Sequence, residues 1–332
     1  MKTHRVGRIR RFRFNLPQRV AAGLLALFLA QGLWLSAHQA TPAQVEANRA
    51  LQQAQILAGL PFLAVGVLLG GALWWVARRL YGNLGGYTAL ALYCFSPEIL
   101  RASAEPNAEI LAALGVYGGI YTSIGVAHAM QGPRRKWRPR ILLLTAIFAA
   151  AAAAHLAALA LVAVVGFALM LWVAEGRRKQ LLPVVLIAVT GALAVLFLCC
   201  GFSPRTFLSL FQSGEERSSL SIQPAVHFFG ALANVGTSLA VAASVVLYLG
   251  VKRSRYFGNT APLLTALVLF VLVVAGAPTN PQLWALPFLF TFVGGVFADA
   301  FEAPEGRLAV AAAGAIVLVQ VVLCVQSLPG LK

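Results

Sequence analysis

Long apolar runs alternate along the chain with short polar connections that carry most of its charge. The runs predict about eleven membrane-crossing helices, over 20–37, 56–77, 84–100, 108–130, 141–153, 156–174, 181–200, 225–250, 261–276, 283–298 and 308–326. Most approach the roughly 20 residues that cross a bilayer core. They must be helices, because lipid offers no hydrogen-bond partner to an unpaired backbone N–H or C=O.

The stretch Ile141 to Ala174 is the hardest to divide, being about 34 residues without a charge. One helix of that length would run to about 51 Å at 1.5 Å per residue, well beyond the hydrocarbon core. Arg134, Arg135, Lys136, Arg138 and Arg140 precede it, and Arg177, Arg178 and Lys179 follow. If both clusters face the cytoplasm, the chain crosses an even number of times between them. Two short helices reversing near His155 meet that condition.

The same bias orients the whole chain. Of 26 lysines and arginines, all but Arg49, Arg101, Arg205, Arg217 and Lys332 fall on one side of the predicted topology. That side is read as cytoplasmic, which places the N-terminus inside and the C-terminus outside. The expected organisation is a basic cytoplasmic segment (1–19), a single transmembrane domain (20–326) and a short outer tail (327–332). The basic start followed by 20–37 resembles a secretory signal, but the apolar run exceeds a typical signal core and no small-residue cleavage site follows, so an uncleaved first helix is expected. Trp34 and Trp284 fall near predicted outer ends, and Trp74, Trp75 and Trp172 near inner ends, where amphipathic indoles settle.

Composition narrows the class. Sixty per cent of residues are apolar and 11% charged, against about a quarter charged in soluble domains. A net charge of +16 would fit a nucleic-acid binder, but clustering between apolar segments assigns it to membrane orientation instead. Cys94, Cys199, Cys200 and Cys324 show neither CxxC nor Cys/His spacing, so no metal site, disulfide framework or cofactor is expected. Gly66-x-x-x-Gly70 and Gly115-x-x-x-Gly119 offer close-contact faces to neighbouring helices.

Any chemistry therefore belongs at a bilayer face or between helices. Glu46, Glu98, Glu105, Glu109, Glu215 and Glu216 lie on the predicted outer side, and Glu175, Asp299, Glu302 and Glu305 inside. The densest outer polar segment runs from Ser96 to Glu109, where Arg101 has the fork geometry to hold a phosphate. Glu109 opens a helix, where a carboxylate also complements the dipole, and capping or solvation alone would account for the segment. His155 reaches the outer interface if the chain reverses there; a packed histidine is the plainer reading. The segment from Phe202 to Phe211, with Arg205, predicts a short amphipathic helix on the membrane surface, either an anchor or a lid. Gln320 and Asn234 are expected to join helices by hydrogen bonds.

The segment Leu80-Tyr81-Gly82-Asn83-Leu84-Gly85-Gly86, followed by Ala89-Leu90-Ala91-Leu92-Tyr93-Cys94-Phe95-Ser96-Pro97, resembles polytopic GT-C glycosyltransferases, nearest the protein-mannosyltransferase-like and aminoarabinose-transferase-like branches. The divided apolar stretch at 141–174 and Leu283-Trp284-Ala285-Leu286-Pro287 are similar as well. The resemblance implies inverting transfer of a sugar from a polyprenyl-phosphate donor on the outer leaflet, and the membrane expected is the cytoplasmic (inner) one if the chain is bacterial. It implies catalytic carboxylates among Glu46, Glu105 and Glu109, and donor-phosphate contacts from Arg101, His155 and Arg205. The first outer loop is shorter than the family's, with Glu46 as its sole acid. A catalytically silent scaffold or lipid-binding subunit is therefore the alternative, and a transporter a more distant one.

Overall fold

A computed structural model describes residues 15–38, 49–132, 137–174, 176–212, 240–242, 244–245, 257–274, 281–301 and 306–328. Among these every regular element is helical. In chain order the α-helices are α1 (Leu16–His38), α2 (Arg49–Cys94), α3 (Pro97–Ala104), α4 (Ala108–Met130), α5 (Trp137–Ala154), α6 (Leu156–Val173), α7 (Leu181–Cys199), α8 (Pro204–Gln212), α9 (Phe257–Val274), α10 (Pro281–Phe301) and α11 (Gly306–Ser327), with a 3-10 turn at Arg178–Gln180 before α7. Seven of the described helices are long and apolar enough to cross a membrane, and shorter apolar helices cover Thr260–Leu272 and Ala311–Ser327. The chain is an integral membrane protein, all-helical among the described residues. Most of the stretch expected to cross at 225–250 lies outside the described residues.

The 46-residue α2 folds back on itself. Gly82 takes φ 76° and ψ −171°, a region open essentially to glycine alone. Beyond it the chain returns alongside its own first arm: Gly86 packs on Arg78, and Tyr93 reaches Gly70 and donates its Oη–H to the Gly66 carbonyl at 2.6 Å. The predicted helices at 56–77 and 84–100 are these two arms. The second ends earlier than expected, at Cys94. Pro97 then starts α3 at a position where its missing N–H costs nothing, and the break exposes the Phe95 carbonyl, which accepts from Gln320 Nε2 of α11 at 3.0 Å. The predicted role of Gln320 as a helix-joining side chain is seen here.

The alanine-rich stretch also reverses. Going up α5, Arg140 donates to the Gly125 carbonyl, Ile147 lies by Gly118, and Ala151 lies by Gly115. Going down α6, Val162 lies by Gly119, Ser123 by Gly166, and Gln131 donates to the Val173 carbonyl. The two helices thus run in opposite directions along α4. His155 is the single non-helical residue between them, with extended backbone (φ −152°, ψ 132°).

Small residues make these approaches possible. A Cβ on Gly115 would stand 2.6 Å from the Ala151 Cα, and one on Gly294 2.5 Å from the Gly85 carbonyl oxygen. Apolar packing against lipid gives no net hydrophobic gain, so close backbone contact and interhelical hydrogen bonds hold such bundles. Both predicted Gly-x-x-x-Gly faces are used: Gly66 and Gly70 meet Ser103 and Tyr93, and Gly115 and Gly119 meet Ala151 and Val162. At the centre stands α10, enclosed over nearly its whole length, with Trp284, Phe288, Phe290, Phe292 and Phe297 buried. It packs against α2, α4 and α9.

These registers sort the bundle's ends. One gathers Arg78, Arg79, Arg138, Arg140, Arg177, Arg178 and Lys179, with Arg78 over Trp74, Arg79 over Trp75 and Arg177 over Trp137 at 5.1–5.8 Å. The other carries Ala104, Glu109, His155 and Trp284. Helix α1 begins at Leu16, inside the segment expected to precede the membrane, and residues 1–14 and 329–332 lie outside the described residues.

Candidate functional site

The site forms where α4, the α5–α6 turn and α10 meet at the end opposite the arginines. Asn107 caps α4, its Oδ1 accepting the Glu109 N–H at 3.0 Å. The cap fixes the helix start and stands Glu109 in the first turn, where unpaired N–H groups and the dipole favour a carboxylate.

His155 arrives from the other side. Contact between Gly115 and Ala151 sets the register of α5 on α4, and one further turn lifts the end of α5 to the level of Glu109. The His155 N–H donates to Ala151, and its carbonyl accepts from Ala158 and Leu159, so its backbone serves both helices. The ring makes no capping bond. Its Nε2 lies 3.3 Å from Glu109 Oε1, off the axis of a hydrogen bond.

Trp284 completes the group. It stands in the first turn of α10, 1% exposed, and its Nε1–H donates to Glu109 Oε2 at 2.8 Å. Its ring lies 6.0 Å from that of His155. A hydrogen bond to a charged acceptor is stronger than one between neutral groups, which suits a carboxylate as enclosed as that of Glu109, 7% exposed as a residue. Two turns deeper the same helix pair is joined again, Tyr117 Oη meeting Thr291 Oγ1 at 2.8 Å beside the rings of Tyr121 and Phe288.

The candidate residues divide on this map. Glu109 and His155 are brought together. Arg101 and Glu105 instead pair with each other across one turn, 3.5 Å apart, both side chains close to half exposed. Such surface pairs contribute little. Arg205 stands exposed on α8 and makes no hydrogen bond or ion pair among the described residues. Glu46 lies outside the described residues. The predicted short helix is present as α8, with Phe202 and Phe207 both edge-on to Phe197 of α7.

Sequence reasoning placed Trp284 at an outer interface and missed its bond to Glu109. The available signal was that both residues open apolar runs on the same predicted side. What was missing was that α4 and α10, 175 residues apart at this contact, are neighbours. Comparison with protein-family models, with curated proteins and with solved structures finds no match.

Proposed function

We propose that the chain is a GT-C-like membrane transferase that moves a sugar from a polyprenyl-phosphate donor to an acceptor hydroxyl. In this reading the end bearing Glu109 faces outward, the arginine-rich end and the N-terminus face the cytoplasm, the C-terminus lies outside, and the membrane is the cytoplasmic one, the inner membrane if the chain is bacterial. The observation that carries it is the meeting of a buried carboxylate, a partly open imidazole and an indole N–H at that end of the bundle. Transfer needs a group to take the acceptor's proton and cations to offset charge on the leaving phosphate. The Glu109–His155 pair supplies the first; Arg101, bridged to Glu105 at the surface of α3, would have to leave that contact to supply the second. The lipid tail of the donor explains why such a pair sits inside a bundle of membrane helices.

The test is transfer of labelled sugar by purified protein in liposomes containing a panel of polyprenyl-phosphate hexoses and pentoses, with an acceptor extract. Wild type turns over, and Glu109→Gln and His155→Gln each fall by about 100-fold or more, the usual worth of a positioned acid–base group. Turnover undiminished in the double variant would sink the reading.

One observation favours a second reading, a lipid-binding subunit without turnover: both carboxylate oxygens of Glu109 already face protein groups. That reading expects polyprenyl phosphate to bind equally well to wild type and Glu109→Gln, with no sugar moved by either.

A further inference from the structure

Resting on the transferase reading, we infer that the atom accepting the proton is Nδ1 of His155, and that Glu109 and Trp284 are positioning residues that hold the imidazole for this task.

Access separates the two acid–base candidates. Each oxygen of the Glu109 carboxylate already faces a protein group, Oε2 the Trp284 N–H and Oε1 the imidazole, which leaves an acceptor hydroxyl little room to reach it. The side chain of Glu109 is 10% exposed and that of His155 32%. Of the two ring nitrogens, Nε2 is enclosed, whereas Nδ1 is neither enclosed nor hydrogen-bonded.

Chemistry then assigns the roles. An imidazole nitrogen against a carboxylate carries the proton, and the opposite nitrogen keeps its lone pair. The 3.3 Å approach lies off the N–H axis, so the ring must turn for the bond to form. With Glu109 on the Nε2 side, the lone pair is left on Nδ1, the open side. Trp284 contributes by holding Oε2, which stops the carboxylate from turning away.

The place of His155 in the fold agrees. It is the sole residue between α5 and α6, its backbone is fully used, and its ring does no capping. The charged groups on the elements around it are Glu109 on α4, Glu98 and Arg101 on α3 and Glu105 just beyond; α6 has none, and those of α5 and α10 lie at the far end. The step balances. The acceptor O–H bond breaks with its proton passing to Nδ1, the oxygen's electron pair bonds the anomeric carbon, and the carbon–oxygen bond to phosphate breaks with its pair leaving on the polyprenyl phosphate. Glu109 meanwhile faces the imidazolium.

The experiment has two arms. The first is 15N NMR of the full chain in nanodiscs, with His4, His38, His128 and His227 replaced by Gln so that His155 alone reports. At pH 8 the neutral ring is expected as the Nε2–H tautomer, and Glu109→Gln is expected to erase that preference. A dominant Nδ1–H tautomer, or a preference unchanged in Glu109→Gln, overturns the assignment whether or not the protein turns over. The second arm is the pH–rate profile of sugar transfer. His155→Gln should lose about 100-fold and the limb that falls as an imidazole protonates, while Trp284→Phe slows transfer and keeps that limb. If His155→Gln retains both rate and limb while Glu109→Gln is dead, transfer stands and this assignment falls. If wild type moves no sugar, the transferase reading falls, and with it the catalytic role given to Nδ1.

Discussion

The guanidinium of Arg177 lies 5.1 Å over the ring of Trp137. The two residues border the alanine-rich stretch on its opposite sides in sequence, so this contact closes the α5–α6 hairpin at its open end. It brings the two basic borders of the stretch to one end of the bundle. Single cysteines at Arg138 and Lys179, in a background lacking Cys94, Cys199, Cys200 and Cys324, are therefore expected to react with an impermeant maleimide from the same side. Labelling from opposite sides would dissolve the hairpin and, with it, the approach of His155 to Glu109.

Gly82 performs the other reversal. Nothing lies within 4 Å of the place a Cβ would occupy there, so space does not demand glycine; the backbone angles do. Arg78 Nε donates to Asn83 Oδ1 at 2.9 Å and braces the same turn. Gly82→Ala is expected to cost about 1–3 kcal/mol, the penalty for an L-residue in this region, read as a lower midpoint in detergent unfolding. An unchanged midpoint would mean that the turn relaxes freely to another conformation.

Both reversals were legible in the sequence, and for physical reasons. Arg78-Arg79 before Gly82-Asn83, and the arginines on each side of 141–174, are charges that lipid will not take, so they fix where the chain must surface. The break after Cys94 was not legible, although Pro97 was in view. Pro97 alone marks a boundary, while the groups that stabilise it, Gln320 on the Phe95 carbonyl above all, come from 225 residues away. The candidate site divided along the same line. Glu109 and His155 stood out as polar residues at run ends, but Arg101, equally conspicuous, turned to its neighbour Glu105. Trp284 was hidden because a tryptophan at a membrane interface already has a sufficient reason to be there.

Packing at the small-residue faces gives a sharper prediction. Gly115 meets the backbone of Ala151, which has no side-chain torsion with which to move aside. Gly115→Leu should force α4 and α5 apart and cost about 1–3 kcal/mol, as overpacking does. Gly125 lies on the same helix with nothing within 4 Å of its missing Cβ, and Gly125→Leu is the control expected to leave the unfolding midpoint within error. Equal losses in the two variants would show that the α4–α5 contact does not govern the effect, since replacing glycine by leucine within a helix is by itself favourable.

The bond between Trp284 and Glu109 makes the last prediction, one that concerns stability and needs no turnover. Trp284→Phe keeps most of the ring volume but leaves an enclosed carboxylate oxygen without its donor, a loss of about 1.5–3 kcal/mol for a hydrogen bond to a charged group. Glu109→Gln is expected to be milder, because the amide oxygen still accepts the indole N–H and no buried charge remains. In the double variant the unmet acceptor is a neutral amide, whose desolvation costs less than a carboxylate's. The second substitution should therefore add less than it does alone, leaving a coupling energy of at least about 1 kcal/mol, within the range of residues in direct contact. Strict additivity of the two unfolding changes would show that the indole and the carboxylate do not act on one another, and that α10 is held against α4 by the Tyr117–Thr291 tier and the aromatic rings below it.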